Sequence, residues 1–180
     1  NLGTHNSQGE FYLTDIVQMA VADKVEIGQG IRMRSRVPKV MHLVAGRTLL
    51  EHVYIAASRL RTRRIHVVHG CGGDQVPKAH PQMDVDWVEQ ERQLGTGHAV
   101  MQVIDQIPLN DTVMVLYGDV PLITFETLEQ LEEASRESGL CLLTCVLDNP
   151  HGYGRILRDE RGNIVRIVEE KDATDSERTV

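Results

Sequence analysis

Short runs of β-branched and aliphatic residues alternate along this chain with longer stretches whose apolar residues recur at helical spacing. Helix signals extend over residues 48–60 and 124–138, and Gly139 is placed to end the second helix. Residues 65–69 and 85–89 form short apolar runs that predict strands. Strands separated by helices predict an α/β fold with a Rossmann-like, mainly parallel sheet flanked by helices.

Other segments complete this prediction. The near-continuous apolar run from Thr112 to Tyr117 is typical of a parallel strand that is buried on both faces. Without a repeat, a linker or a second core, the 180 residues are expected to form one domain. The remaining predicted elements are a helix over residues 14–20, a helix that begins at residues 95–97 and carries Val100, Val103 and Ile104, and strands over residues 25–27, 140–147, 156–158 and 164–168, of which the last two form a hairpin.

Charge and composition exclude several classes of protein. The chain has 19 Lys and Arg against 26 Asp and Glu, a formal charge of −7, which argues against a general nucleic-acid binder. No apolar run approaches the roughly 20 residues that span a bilayer, and the polar N-terminus has no signal-peptide core. Three cysteines without a spaced framework predict reduced thiols in a cytoplasmic protein, with a metal pair at Cys141 and Cys145 as the alternative.

The segment from Gly28 to Lys39 is the first candidate site. Gly28 and Gly30 let the backbone approach a ligand closely, and Arg32 and Lys39 are suited to neutralising a polyphosphate. The alternative is a solvated basic loop. The segment lacks the Gly-Lys-Ser/Thr of a P-loop, and Met33 stands at the third glycine position of a dinucleotide fingerprint.

Two further candidates follow predicted strands. Asp119 comes directly after the apolar run that ends at Tyr117, where a carboxylate is suited to Mg²⁺; the alternative is a turn aspartate. Gln90 offers a donor and an acceptor to the edge of a base, ahead of the turn that carries Gly95; the alternative is an ordinary strand-to-helix turn. His98 is interpreted as a helix-start or packing residue rather than a catalytic base.

Gly154 and Glu169 are the last candidates. Gly154 allows close contact between the backbone and a ligand, and Glu169 is placed to accept hydrogen bonds from sugar hydroxyls. The alternatives are a turn glycine and a solvated acidic cluster. None of the eight histidines has the spacing of metal ligands, and no Gly-x-Ser-x-Gly or Cys–His arrangement is present.

Taken together, these segments resemble the uridyltransferase domain of the bacterial bifunctional enzymes that make UDP-N-acetylglucosamine. The matching motifs are Gly-x-Gly-x-Arg-Met-x-Ser…Pro-Lys, Gln-Leu-Gly-Thr-Gly-His-Ala, Tyr-Gly-Asp-Val-Pro-Leu, Gly-Tyr-Gly-Arg-Ile and Val-Glu-Glu-Lys-Asp-Ala. They occur in the family's order from Gly28 to Val180. The resemblance implies a fold of the nucleotide-diphospho-sugar transferase type.

The resemblance also implies roles for individual residues. The expected phosphate contacts are Gly28, Gly30, Arg32 and Lys39. The expected uracil contacts are Gln90, Gly95 and Thr96. The expected Mg²⁺ ligands are Asp119 and Asn6, and the expected N-acetylglucosamine site contains Gly154, Glu169, Tyr117 and Gly118.

The implied reaction joins UTP and N-acetylglucosamine 1-phosphate into UDP-N-acetylglucosamine with release of pyrophosphate, in the synthesis of cell-wall precursors. Two alternatives remain. One is a related sugar-1-phosphate nucleotidyltransferase with another base or sugar, and the other is a catalytically impaired fragment that binds nucleotide. No hexapeptide repeat marks the acetyltransferase half of the family, so acetyl-CoA binding and trimerisation are not expected of this chain.

The order of the segments departs from the family. Residues 1–27, with the motif around Asn6, resemble the family's C-terminal segment of this domain, whereas residues 28–180 resemble its N-terminal part. The opening strand is reduced to Ile27 and Gly28, and Ile31 replaces a usual Thr. Three explanations are open: a circular permutant, a fragment completed by domain swapping, or a sequence that joins separate pieces of a longer chain.

Overall fold

The computed structural model describes residues 37–70 and 74–180, and a pair of parallel strands lies between its two hydrophobic cores. In chain order, the strands and helices are β1 (Leu43–Val44), β2 (Arg47–Thr48), α1 (Leu49–Ser58), β3 (His66–Gly70), α2 (Gln75–Ala79), β4 (Asp86–Gln90), α3 (Thr96–Met101), α4 (Phe125–Ser138), β5 (Arg155–Arg158) and β6 (Ile164–Val168). Single 3₁₀ turns extend over Lys39–Met41, Ile104–Gln106 and Glu177–Thr179.

β3 and β4 pair in parallel, with His66 opposite Asp86 at one end and Gly70 opposite Gln90 at the other. Successive side chains of a strand point to opposite faces, and β3 accordingly contributes to two separate cores. Val67 packs on one face with Val40, Leu50, Val76 and Met83. Val68 packs on the other face with Ala99, Val100 and Val103. A parallel pair that is covered on both faces confirms the predicted α/β fold.

The two longest helices lie where the sequence predicts them, although α1 ends two residues before the predicted Leu60. Thr48 caps α1: its side chain accepts a hydrogen bond from the backbone N–H of Glu51, whose carboxylate accepts from the N–H of Thr48. In α4, the side chain of Thr124 accepts from the N–H of Thr127. Gly139 ends α4 in the left-handed region at φ +72°, which glycine adopts at little steric cost.

The hairpin predicted near the C-terminus is also present. β5 and β6 pair antiparallel, with Arg155 opposite Val168. Their turn depends on Asp159, whose carboxylate accepts hydrogen bonds from the backbone N–H groups of Arg161 and Asn163, each at 2.9 Å. These bonds lower the pKa of Asp159, as does a hydrogen bond from the Asn163 side chain, the largest cause.

Two predicted strands are not strands in the part of the chain that the structure describes. Residues 112–117 and 140–147 form no ladder with another described segment. Leu143 and Val146 are exposed, as is about two-fifths of Tyr117. An apolar run predicts burial, but a strand also requires a neighbouring backbone with which to form hydrogen bonds. The apolar pattern carries no information about that neighbour.

A short hairpin and a short helix were not predicted. β1 and β2 form a hairpin whose turn places Ala45 at φ +50° and Gly46 at φ +83°. α2 contains Pro77, and its Val76 is completely buried in the core beside Val67. Proline in so short a helix is tolerated because the first N–H groups of a helix have no intrahelical partner.

Several predictions lie outside the described residues. These are the helix over residues 14–20, the strand over 25–27 and the turn that includes Cys71. Within the described part, Cys141 and Cys145 are free thiols. None of the helices there has the length and apolar character that crossing a bilayer requires.

Candidate functional site

Lys39 and Asp119 meet across 80 positions of sequence. The ammonium group of Lys39 donates a hydrogen bond to the carboxylate oxygen Oδ2 of Asp119. Lys39 begins the 3₁₀ turn Lys39–Met41, which is anchored by Val40, a fully buried residue of the larger core. The side chain of Lys39 is half exposed and that of Asp119 about a quarter exposed, so both groups can reach a ligand.

The residues just before Asp119 form a compact turn. The backbone N–H of Val120 donates to the carbonyl of Tyr117 at 3.1 Å. Gly118 is buried, whereas Tyr117 is exposed beside it. The two residues expected to line a sugar site therefore lie next to the carboxylate that is expected to hold the metal.

The donor chemistry of Asp119 fits a divalent cation. A partly exposed carboxylate is a hard oxygen ligand, and Mg²⁺ characteristically takes only one or two protein ligands together with substrate phosphates. Residues 37–70 and 74–180 contain no cluster of three or more His, Cys, Asp or Glu suited to a metal. Asn6, the other expected ligand, lies outside the described residues, as do the expected phosphate contacts Gly28, Gly30 and Arg32.

Gln90 and Gly95 form a second, largely buried group. Gln90 is the last residue of β4, only 3% of it is exposed, and its side-chain NH₂ donates to the carbonyl of Gly95 at 3.2 Å. Gly95 precedes α3 at φ +100° and ψ 173°, a conformation that is essentially restricted to glycine. Thr96 is the first residue of α3. The structure therefore brings the three expected uracil contacts together at the end of β4.

His98, interpreted as a helix-start or packing residue, is the third residue of α3 and also contacts this group directly. Its ring atom Nδ1 lies 2.8 Å from the side-chain nitrogen Nε2 of Gln90. Burial lowers the pKa of His98, and the positive charge of Arg92 lowers it further. Sequence reasoning missed the contact because Gln90 ends a strand and His98 lies in the following helix. Their separation of eight residues therefore matches neither the strand nor the helix periodicity.

Gly154 and Glu169 are also brought together. A β-carbon placed on Gly154 would lie 3.9 Å from the carboxylate oxygen Oε2 of Glu169 and 3.4 Å from the carbonyl oxygen of Val168. The pairing of β5 with β6 produces this contact, since Arg155 is opposite Val168. The two expected sugar contacts therefore occupy one end of the hairpin.

Arg155 supports this end of the hairpin, although sequence reasoning gave it no role. The residue is 95% buried, and its guanidinium donates to the carbonyls of Pro150 and Tyr153 and pairs with Glu170 at 2.7 Å. Burial alone raises the pKa of Glu170, but hydrogen bonding and charge from Arg155 lower it on balance. The signal that the sequence offered was an arginine directly after Gly154. Once such a residue is buried, it requires hydrogen-bond acceptors.

The sequence also matches a known protein family. Residues 28–164 match the model of the MobA-like NTP transferase domain. The chain belongs to this family. The match confirms that the chain is a nucleotidyltransferase by class and extends over all the described site residues except Glu169.

The chain is also similar to curated proteins named "Bifunctional protein GlmU". It is 55% identical over 153 residues to those of Methylococcus capsulatus and Azoarcus sp., and 50% identical to that of Pseudomonas putida. Each alignment covers 85% of this chain but only 33–34% of the relative. The chain thus spans about a third of the length of the relatives that it matches, and the predicted resemblance is confirmed.

A solved structure shares the fold. The crystal structure of HddC from Yersinia pseudotuberculosis superposes with a TM-score of 0.55, at 18% sequence identity, covering 85% of this chain and 67% of that one. At this identity the likeness concerns the fold alone. It agrees with the nucleotide-diphospho-sugar transferase fold predicted for this NTP transferase domain.

Proposed function

We propose that this chain carries an N-acetylglucosamine-1-phosphate uridyltransferase site, which makes UDP-N-acetylglucosamine and pyrophosphate from UTP and N-acetylglucosamine 1-phosphate. The observation that carries the proposal is the contact of Lys39 with Asp119, because it joins a cation suited to phosphate with a carboxylate suited to a metal. Membership of an NTP transferase family and similarity to proteins named GlmU support it. Free thiols at Cys141 and Cys145 suit a reducing cytoplasm, where we place the reaction.

The reaction requires positioned charges rather than a general base. An oxygen of the sugar phosphate attacks the α-phosphorus of UTP, and the bond from that phosphorus to the bridging oxygen breaks, so that pyrophosphate leaves with the electron pair. The attacking phosphate is already ionised at pH 7 and loses no proton in this step. The chain must therefore align two polyanions and neutralise their mutual repulsion.

Lys39 and Asp119 share this task. Lys39 is half exposed on an anchored turn, which lets its ammonium group move from Asp119 to the UTP phosphates. Asp119 and Asn6 are the residues that would hold Mg²⁺, which when bound supplies positive charge to the phosphate oxygens. Arg32, Gly28 and Gly30 are assigned to the same phosphates by the family motif.

The remaining residues select the substrates. Gln90, Gly95 and Thr96, which adjoin one another at the end of β4, are assigned to the uracil. Gly154 and Glu169 adjoin one another at the end of the hairpin and are assigned to N-acetylglucosamine. Tyr117 and Gly118 are assigned to the sugar site beside Asp119.

Pyrophosphate release tests this proposal. The protein is incubated with N-acetylglucosamine 1-phosphate and, in turn, UTP, CTP, GTP, ATP or dTTP, each with Mg²⁺ and with EDTA. The proposal predicts release that requires Mg²⁺ and is fastest with UTP. Faster release with another nucleotide, or with glucose 1-phosphate replacing the acetylated sugar, would instead establish a related transferase.

A binding fragment without turnover is the second candidate, and a specific observation favours it. Leu143 and Val146 are exposed in a segment whose sequence predicts a strand, and this segment pairs with no strand among the described residues. This candidate predicts that UTP binds and that no pyrophosphate is released. Measuring UTP binding by calorimetry on the same preparation separates the two functions.

The segment order is a related proposal. We propose that residues 1–27 correspond to a later segment of the family's domain and residues 28–180 to the earlier part. Intact mass spectrometry of the native protein tests whether these pieces are contiguous. A mass of 20.2 kDa supports a permuted or swapped chain, and a much larger mass supports joined pieces of a longer one.

A further inference from the structure

We infer that His98 is a positioning residue for base selection: its neutral ring holds the Gln90 side-chain amide so that the carbonyl oxygen of Gln90 faces the base. This inference rests on the proposed function, because it deepens the role of the nucleotide end of the site. It begins with the orientation of the Gln90 amide.

The carbonyl of Gly95 identifies which end of the amide is the NH₂ group. A backbone carbonyl can only accept hydrogen bonds, so the Gln90 atom that lies 3.2 Å from the carbonyl oxygen of Gly95 must be the NH₂ nitrogen. Gly95 is held in turn by its own conformation at φ +100°. The orientation of the Gln90 amide is therefore assigned from a group that can only accept hydrogen bonds.

His98 uses the second hydrogen of the same NH₂ group. Its Nδ1 lies 2.8 Å from the amide nitrogen of Gln90, and two donors cannot form a hydrogen bond with each other. Nδ1 must therefore be unprotonated and accept. The NH₂ group of Gln90 is then committed twice within the protein, to Gly95 and to His98.

The other ring nitrogen of His98, Nε2, then carries the single proton of the neutral ring. The side-chain nitrogen of Gln102 donates to the backbone carbonyl of His98 at 2.9 Å and lies 3.4 Å from the ring atom Nε2. Because Nε2 carries a hydrogen in both the neutral and the charged ring, it is the contact of Nδ1 with Gln90 that requires the neutral form. Burial, which lowers the pKa of His98, acts in the same direction.

The consequence is an acceptor at the base site. With both N–H groups committed, Gln90 offers its carbonyl oxygen to the ligand. Uracil presents N3–H, a donor that this oxygen can accept, whereas cytosine presents an unprotonated N3 at the same position of its ring. A rotated amide would reverse the preference, so the contacts with Gly95 and His98 together favour uracil over cytosine, a pyrimidine of nearly equal size.

The test compares two substitutions of one residue. His98→Leu removes the acceptor, and His98→Asn places a carbonyl oxygen near the former position of Nδ1. Affinities for UTP and CTP are measured by calorimetry on each protein, with circular dichroism to confirm folding. We expect the ratio of UTP to CTP affinity to fall about tenfold or more in His98→Leu and to stay near the parent value in His98→Asn.

Gln90→Leu is the control that tests whether His98 acts through the Gln90 amide. Adding His98→Leu to Gln90→Leu should leave the UTP:CTP ratio unchanged, because the positioned amide is already absent. A parental ratio in His98→Leu, a ratio in His98→Asn as low as in His98→Leu, or an additional loss in the double variant would each overturn the inference alone. A parent protein that binds CTP as tightly as UTP would overturn the proposed function itself.

Discussion

The base end and the phosphate end of the candidate site are built in opposite ways. At the base end, Gln90 is 3% exposed and its hydrogen bonds join neutral groups. At the phosphate end, Lys39 and Asp119 carry full charges and remain accessible. Buried neutral groups discriminate between ligands because an unmatched polar atom there is costly. Accessible charges can instead exchange one partner for another as a polyanion binds. We therefore propose that selectivity and catalysis depend on different regions.

The largest expected effect is at the phosphate end. Asp119→Asn keeps the shape of the side chain but removes the charge that pairs with Lys39 and that the proposed metal would require. We expect kcat for pyrophosphate release to fall by roughly a thousandfold while UTP binding changes by much less. Steady-state kinetics and calorimetry on one preparation measure both quantities. Asp111→Asn is the control, because that carboxylate pairs with Arg63 at 3.2 Å outside the site and its loss should leave kcat unchanged.

Substitution of Lys39 should have the next largest effect. Lys39→Ala removes one cationic contact with the developing charge, which corresponds to a loss in kcat of about a hundredfold. Lys39→Arg keeps the charge and should recover part of the rate. If Lys39→Ala impaired UTP binding without slowing turnover at saturation, the ammonium group would have only a binding role.

The base end should respond in binding rather than in turnover. Gly95→Ala places a β-carbon on a residue at φ +100°, a strain of about 1–3 kcal/mol that is relieved by moving the acceptor of Gln90. We expect KM for UTP to rise by roughly tenfold with little change in kcat. Gly162→Ala is the matched control: Gly162 lies at φ +83° in the β5–β6 turn with open space around it, so that variant should lower stability without changing KM.

The smallest effect is expected at the sugar end. Glu169→Ala removes one acceptor for a sugar hydroxyl, and we expect KM for N-acetylglucosamine 1-phosphate to rise by only about fivefold. Glu160→Ala, in the exposed turn of the same hairpin, should not change it. A loss of turnover in Glu169→Ala as large as that in Asp119→Asn would contradict the proposal that catalysis depends on the phosphate end.

The sequence predicted the elements whose determinants are local. The predicted helices over residues 48–60 and 124–138 agree with α1 and α4 to within two residues, and Gly139 ends α4 as predicted. The run 112–117 was predicted as a strand on its apolar composition, and no partner strand is found for it among the described residues. The β1–β2 hairpin was missed because its turn begins at Ala45, a residue that rarely adopts positive φ.

The residues of the candidate site also divide into those that the sequence predicted and those that it did not. The motifs identified Lys39, Asp119, Gln90, Gly95, Gly154 and Glu169, and the structure brings them together in three pairs. The supporting residues were not predicted. His98 and Arg155 act through hydrogen bonds to neighbouring groups, and those bonds depend on the paths of two backbones rather than on any spacing in the sequence.

One experiment tests the division between selectivity and catalysis most directly. UTP and CTP affinities and the rate of pyrophosphate release are measured side by side for the parent, Gln90→Leu and Asp119→Asn, with Mg²⁺ and N-acetylglucosamine 1-phosphate present in the rate assay. The account predicts that Gln90→Leu loses the preference for UTP, whereas Asp119→Asn retains that preference and loses turnover. Parental turnover in Asp119→Asn, or an unchanged preference in Gln90→Leu, would contradict it.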